Sequence, residues 1–348
     1  MKCYYWFFIA LWMCFTSCNG GTEQEIENDC SSGVVLIKNS GYYELKLSTG
    51  QSIYFTKYDK DGGFDNMTFD KESVVVEVGY GTGFFISDKG EIVSNNHVVG
   101  STYKKEDIAE TLNEVLQSYQ NDCREKYSSY EEMEEELKQR ILRKYFEGED
   151  FSEESASIET IRTKKEELAE LYRLIDRINT NNSELISHNE IGIAYNDTYV
   201  TDNADFFPCV VVKTDAEHDL AIIQLKDKTT PNGKYVFKVP ETDPLTSDSW
   251  IDKLSKDKNS EVYMISYNLG PQLSQTKEGI KSQFNKGSIS QRTEERIMYN
   301  IPALPGSSGS PVVNKRKELV AINYLGIQNT QGFNYGIRMK YLKELMQK

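Results

Sequence analysis

The 348-residue chain is short of histidine, cysteine, proline and positive charge. It has three histidines, His97, His188 and His218, so imidazole chemistry has three places to occur. Of six cysteines, Cys3, Cys14 and Cys18 fall near the start. Cys30, Cys123 and Cys209 are left, odd in number and far apart, which excludes a disulfide framework. CxxC metal spacing is absent, so no metal site is implied. Nor is an organic cofactor: no strand runs into GxGxxG and a helix, and there is no GxxxxGK[ST] loop. Lys plus Arg number 40 against 54 Asp plus Glu, giving a net charge of −14 and a pI near 4.9. That balance repels phosphate backbones and anionic membranes, so no nucleic-acid partner is expected. Its plain consequence is solubility.

Long apolar runs are also missing. Tyr4 to Phe15, after Met1-Lys2, is too short to span a bilayer but has the length of an export-signal core. Phe15-Thr16-Ser17-Cys18-Asn19-Gly20 follows. Small residues before a cysteine resemble a lipoprotein processing box, with Cys18 as the lipidated first residue, although Phe15 stands where leucine is usual. An ordinary cleaved signal or an uncleaved anchor is the other reading. The expectation is a signal peptide over 1–17 and a polar tether over 18–32. The protein would then be exported, to the periplasm or as an outer-membrane lipoprotein of a diderm bacterium, with membrane contact only through Cys18.

What is present is a β pattern with one interruption. Hydrophobic residues make up 38%, enough for a packed core, and the 22 tyrosines and 15 phenylalanines suit strands. Val34 to Ile37 is apolar. Tyr43 to Leu47 alternates, turns at Ser48-Thr49-Gly50-Gln51, and is answered by Ile53-Tyr54-Phe55, as in a hairpin. Val74 to Val78 reads as a strand, and Phe84 to Ser87 with Ile92 to Ser94 as a second hairpin. From Lys104 to Thr180 there is no proline and one glycine, Gly148. Apolar steps of three and four through Ile108, Leu112, Val115, Tyr119, Cys123, Tyr127, Tyr130, Met133, Leu137 and Ile141, and a second series through Ile158, Ile161, Leu168, Leu171, Ile175 and Ile178, predict an antiparallel helical hairpin packed like a coiled coil. The break falls at Phe146 to Ser152, with N-cap candidates in Ser152-Glu153-Glu154-Ser155. Strand patterns return at Ile191, Phe207, Leu220, Val262, Gly287, Ile297, Val312, Leu319 and Gly332. Lys226 to Lys234 reads as a link, and Lys340 to Gln347 as a short closing helix.

Three segments carry chemistry. Gly81-Thr82-Gly83-Phe84-Phe85-Ile86-Ser87 precedes Ser94-Asn95-Asn96-His97-Val98-Val99. His218-Asp219-Leu220-Ala221-Ile222-Ile223 comes next, then Pro305-Gly306-Ser307-Ser308-Gly309-Ser310-Pro311. In this order they resemble the His, Asp and Ser blocks of trypsin-like peptidases, most closely the bacterial Deg/HtrA branch. The resemblance runs from about Val74 to the end, apart from the helical insert.

A serine hydroxyl needs a base to take its proton, and that imidazole needs a carboxylate to orient and stabilise it. The resemblance therefore implies His97, Asp219 and Ser308 as a catalytic triad, with Gly306 and Ser308 N–H groups as the oxyanion hole. Asp215 and His218 compete with Asp219, but the apolar run after Asp219 favours it and leaves His218 as an exposed neighbour. His188 borders the insert and has no expected role. Ser307 and Ser310 compete with Ser308, whose flanking glycines permit the tight turn.

The departures are Ser310, in place of the family's second glycine, and Ser307, where digestive enzymes carry an activating aspartate. Ala303, Leu304, Asn323, Tyr324 and Leu325 are expected to line an uncharged substrate pocket, giving cleavage after small or medium apolar residues. A PDZ domain, usual in that branch, is not expected.

The expected fold is an all-β core of two six-stranded antiparallel β-barrels, trypsin-like, with a long α-helical hairpin insertion and a short C-terminal helix. Residues 33–102 and 181–228 would form the first barrel, 103–180 the insertion, and 229–348 the second barrel with its helix. The expected function is serine endopeptidase action on envelope or extracellular proteins, with a protein or peptide as substrate. The alternative is a catalytically weak scaffold that binds partners through the insertion. Residues 104–180 would be either a tolerated surface insertion between strands or an arm or lid that contacts substrate, docks a partner or joins a second copy in a homo-oligomer.

Overall fold

The computed structural model describes residues 21–100, 103–245, 261–326 and 333–348. The signal and Cys18 calls therefore lie outside the described residues. The strands are β1 (Val34–Lys46), β2 (Ser52–Phe55), β3 (Lys57–Asp59), β4 (Gly63–Asp65), β5 (Glu77–Phe85), β6 (Glu91–Ser94), β7 (Glu184–Tyr195), β8 (Phe207–Asp215) and β9 (Leu220–Leu225). They continue as β10 (Glu261–Ser266), β11 (Gln275–Thr276), β12 (Gly279–Ile280), β13 (Gln283–Arg292), β14 (Arg296–Tyr299), β15 (Pro311–Val313), β16 (Leu319–Gly326) and β17 (Asn334–Arg338). The helices are α1 (Glu23–Ser31), α2 (Asn96–Val99), α3 (Lys105–Glu147), α4 (Ser152–Asp176), α5 (Pro271–Ser274) and α6 (Met339–Gln347). The described residues divide into two compact units. One lies within Met1–Gly41, Val78–Thr102 and Asn189–Lys348, the other within Tyr42–Glu77 and Tyr103–His188.

The first unit holds both barrels. Strands β1, β5, β6, β9, β8 and β7 pair in that order and β7 returns to β1, closing six strands. The second barrel closes in the order β10-β13-β14-β17-β16-β15. Closure removes the free edges of a sheet. Short runs such as Leu220-Ala221-Ile222-Ile223 are buried on both faces because one face looks into the barrel and the other packs against a neighbouring element. Phe84, Val93, Leu220 and Ile222 of one barrel share a core cluster with Tyr263, Ile265, Val313 and Ile322 of the other. Met339, Leu342 and Leu345 of α6 join it, which is the i, i+3 stripe of an amphipathic helix.

Two local expectations change here. The polar stretch expected as a tether forms α1 over Glu23–Ser31, with Ile26 and Cys30 fully buried. A capping box starts it: Thr22 accepts from the Glu25 N–H at 3.3 Å and its own N–H donates to the Glu25 carboxylate at 2.7 Å. The Val74–Val78 strand begins only at Glu77, because Lys71–Ser73 forms a 3₁₀ turn and Val75 and Val76 stay exposed.

In the second unit, Tyr43, Glu44, Leu45 and Lys46 of β1 pair with Phe55, Tyr54, Ile53 and Ser52 of β2, the expected hairpin. Its Leu45, Ile53 and Phe55 pack with Ile108 and Leu112 at the start of α3. Helices α3 and α4 run antiparallel. Gln120 meets Asp176 at 3.4 Å, Lys165 meets Glu134 at 3.2 Å and Lys144 meets Glu154 at 2.7 Å. The predicted apolar stripe is only partly buried: Tyr119, Met133 and Leu171 are exposed, since two helices cover only a narrow seam. Glu134 takes an interior place instead, ringed by Lys138, Lys165 and Arg162. The N-terminus of α4 is capped not by its serines but by Asp150, which accepts from the Ser152 N–H at 3.1 Å.

Candidate active site

His97 sits on the single turn α2, directly after β6. Val98 and Val99 are buried in the first barrel, and the turn leaves the His97 side chain 40% exposed. Asp219 lies on the β8–β9 turn. Its φ of +52° is left-handed, a conformation aspartate tolerates better than most residues. The turn is set upstream, where the Asp215 carboxylate accepts from the N–H groups of Glu217 (3.1 Å) and His218 (3.2 Å). The Asp219 carbonyl accepts from the Asn96 N–H at 3.2 Å and from Asn95 Nδ2 at 2.9 Å. Its carboxylate faces one residue: Oδ1 accepts from the His97 N–H at 2.9 Å, and Oδ2 lies 2.6 Å from His97 Nδ1.

The rival titratable groups are occupied elsewhere. Asp215 is buried and bonded to His218 Nδ1 at 3.1 Å and Lys348 Nζ at 3.2 Å. Burial alone would raise its pKa, but the bonds from His218 and Lys348 outweigh that and hold the carboxyl below its ordinary range. His218, expected to be exposed, is instead stacked on Tyr341 of α6 at 3.8 Å between ring centres. His188 belongs to the other unit, where it bonds Glu44 at 2.7 Å and stacks on Tyr42.

The serine turn is held at four consecutive carbonyls. Pro305 accepts from the Leu269 N–H at 2.6 Å. Gly306 accepts from the Thr82 hydroxyl at 2.7 Å. Ser307 accepts from Asn323 Nδ2 at 2.9 Å, the Ser310 hydroxyl at 2.6 Å and the Ser310 N–H at 3.2 Å. Ser308 accepts from the Thr82 N–H at 2.9 Å.

A planar trans peptide points its N–H opposite to its C=O. Fixing the Pro305 and Ser307 carbonyls therefore aims the N–H groups of Gly306 and Ser308 the other way. Those two N–H groups make no hydrogen bond among the described residues, whereas Ser307 and Gly309 donate to Leu304 and Asn323 at 2.9 Å each. Two glycines make the turn possible. Gly306 and Gly309 have φ of +94° and +85°, and a Cβ on Gly309 would run into the Thr82 carbonyl and the Ser94 hydroxyl. Ser307 and Ser310 are buried, which leaves Ser308 the most accessible of the three serines.

His97 and Asp219 are thus in direct contact. Ser308 is tied to them through Thr82, whose carbonyl accepts from the Ser94 hydroxyl at 2.8 Å, three residues before His97. Thr82 was not singled out in the sequence, although it lies in the Gly81–Ser87 block. Of the pocket candidates, Leu304 is exposed, Ala303 is half-buried against the second-barrel core, and Tyr324 is partly buried. The Leu325 side chain lies outside the described residues. Asn323 is not free for a substrate: its amide holds Ser307 and accepts from the Tyr299 hydroxyl at 2.6 Å. Among the described residues no three His, Cys, Asp or Glu side chains lie together as a metal site.

The two closed six-stranded barrels and the short C-terminal helix are the architecture expected from the sequence. Residues 175–322 match the family model of the trypsin-like peptidase domain, a span that includes Asp219 and Ser308. Similar solved structures include the serine endoprotease from Yersinia pestis, at 13% identity over 94% of this chain and 66% of that chain, TM-score 0.43. An HtrA-type protease with a decapeptide is also similar, at 13% identity, the same two coverages and TM-score 0.47. Another, with a tripeptide, has 12% identity, 94% and 63% coverage and TM-score 0.43. The chain spans 63 to 66% of the length of these proteins. No curated protein matches the sequence.

Proposed function

We propose that the protein hydrolyses peptide bonds of envelope or extracellular proteins through a Ser308–His97–Asp219 triad and an acyl-enzyme. With Asp219 ionised, His97 Nδ1 carries the proton and Nε2 is left with a lone pair. Nε2 would draw the proton from the Ser308 hydroxyl as it attacks the scissile carbonyl, then return it to the leaving amine. The carbonyl oxygen, gaining charge, would fall to the Gly306 and Ser308 N–H groups. Water would repeat the cycle to release the acyl group. The observation that carries this reading is the clamped Pro305–Ser308 turn, whose Gly306 and Ser308 N–H groups make no hydrogen bond among the described residues, with His97 already held on Asp219. Labelling by a fluorophosphonate of the wild type, and not of Ser308→Ala, tests it.

Uncharged Ala303 and Leu304 support cleavage after small or medium apolar residues, which a peptide-library digest would read. A lipid anchor at Cys18 is tested by fatty-acid incorporation into wild type and its loss in Cys18→Ala.

A disturbed turn at Ser310 would favour the scaffold reading, but the Ser310 hydroxyl bonds within the turn. The support for that reading is the far end of the helical hairpin, where Leu142, Tyr145 and Phe146 are exposed. If a folded wild-type chain resists the probe yet pulls down a partner that loses binding when these three are changed to serine, the scaffold reading replaces the enzyme.

A further inference from the structure

We propose that Ser310, the departure from the family's glycine, is a positioning residue that aims the Ser308 N–H at the developing oxyanion. This rests on the assignment of Ser308 as nucleophile. Ser310 is fully buried, and its hydroxyl donates to the Ser307 carbonyl at 2.6 Å. Its N–H reaches the same oxygen at 3.2 Å, and its own carbonyl accepts from the Asn323 N–H at 2.9 Å. Pro311 follows, and a residue before proline is confined to extended backbone. The main freedom left at Ser310 is the side-chain torsion, and the bond to Ser307 takes it.

The Ser307 carbonyl and the Ser308 N–H belong to one rigid peptide plane. Whatever turns the carbonyl turns the donor. Two donors can share the carbonyl's lone pairs over a range of tilts. A third, the Ser310 hydroxyl, narrows that range. On the far side, Asn323 is itself fixed, because its Oδ1 accepts from the buried Tyr299 hydroxyl at 2.6 Å. Asn323 Nδ2 also donates to the Ser307 hydroxyl at 3.1 Å, so the side chains of Ser307, Asn323 and Tyr299, with the Ser310 hydroxyl on the Ser307 carbonyl, form one buried polar network that ends at the oxyanion donor.

Removing the Ser310 hydroxyl strands no buried carbonyl, since Ser307 keeps Asn323 and the Ser310 N–H as partners. The loss is angular, and it falls on the transition state, where the donor is needed. A glycine at this position would restore the family pattern and still lose the third donor.

The test is Ser310→Ala and Ser310→Gly in the full chain. Rates of fluorophosphonate labelling, and kcat and KM on a fluorogenic peptide taken from the library digest, would be measured beside thermal unfolding. In both variants kcat and the labelling rate are expected to fall about tenfold while KM changes less than about twofold. The unfolding temperature is expected to stay within about 4 °C. A glycine variant as fast as wild type would overturn the proposal, making Ser310 a tolerated substitution. Loss of fold in both variants would overturn it too, by making the residue structural. If wild type itself is neither labelled nor active, the endopeptidase reading falls and takes this inference with it. If wild type is labelled at Ser308 and the variants match it, only this inference falls.

Discussion

Asp219 holds His97 twice, accepting from its backbone N–H at 2.9 Å and facing its Nδ1 at 2.6 Å. The two contacts fix both the place of the ring and its tautomer. In Asp219→Asn an amide replaces one acceptor, and the ring is left free to take the wrong tautomer. The expected result is a fall in kcat of about 10⁴-fold with little change in unfolding temperature, measured by peptide turnover beside calorimetry.

Thr82 joins the serine turn to the strand before His97. Its hydroxyl donates to the Gly306 carbonyl at 2.7 Å and accepts from the Tyr267 N–H at 3.0 Å. Thr82→Val keeps the shape and strands both groups in a fully buried site. Each stranded group costs about 1–3 kcal/mol, read from urea unfolding. Thr82→Ser keeps the hydroxyl and is expected to recover most of that loss. Equal destabilisation by valine and serine would show that the methyl, not the hydroxyl, matters.

Much of this architecture was legible because it is written in short runs. The period-two hairpin at Tyr43–Phe55 and the apolar strand at Leu220–Leu225 declare themselves within a few residues, and so do the three blocks around His97, Asp219 and Ser308. What was not legible falls into two kinds. Some local signals were present and unread, such as the Thr22–Glu25 capping box that makes helix of an expected tether, and Asp150 ahead of α4. The rest are pairings over long separations. Thr82 reaches Gly306, and His218 stacks on Tyr341, because the packing of one barrel on the other and of the C-terminal helix on the first brings together positions whose own neighbours in sequence carry no trace of the contact.

Glu134 gives the helical hairpin a pH dependence with a definite sign. Bonds from Lys138 and then Lys165 lower its pKa from the ordinary 4.5 to about 2. A carboxylate lowered on folding stabilises the folded form at pH above its unfolded value and loses that contribution as pH falls through the folded value. Wild type is expected to exceed Glu134→Gln in resistance to unfolding above about pH 5, with the difference shrinking toward about pH 2. Helical circular dichroism during urea titration at several pH values would show this; a difference that grows on acidification would contradict it.

Burial pushes the thiols of Cys30 and Cys209 up to about 12 each. Their thiolate fraction at neutral pH is negligible, and the thiolate is the reactive form. Iodoacetamide applied to the native protein at pH 7.5 or so should leave both unmodified by peptide mass spectrometry, and modify both after denaturation. Rapid native labelling at either would contradict the burial described here.

The base of the hairpin is part of a core, not a free insertion. Ile108 and Leu112 pack with Leu45, Ile53 and Phe55. Deleting 104–180 uncovers that cluster, at about 1.5–3 kcal/mol for each large side chain returned to water, so that variant is expected to aggregate. Shortening the hairpin between Gln120 and Asp176 with a tight turn leaves the cluster covered. That variant is expected to stay soluble, measured by gel filtration. If the full deletion is equally soluble, the cluster is not needed.

The most direct test of the whole account is where a fluorophosphonate bonds to the native protein. The account predicts a single phosphonylated residue, Ser308, found by peptide mass spectrometry. Labelling should be absent in Ser308→Ala and slowed about a thousandfold or more in His97→Ala. Folded wild-type protein that takes no label, or takes it on another residue, would contradict it.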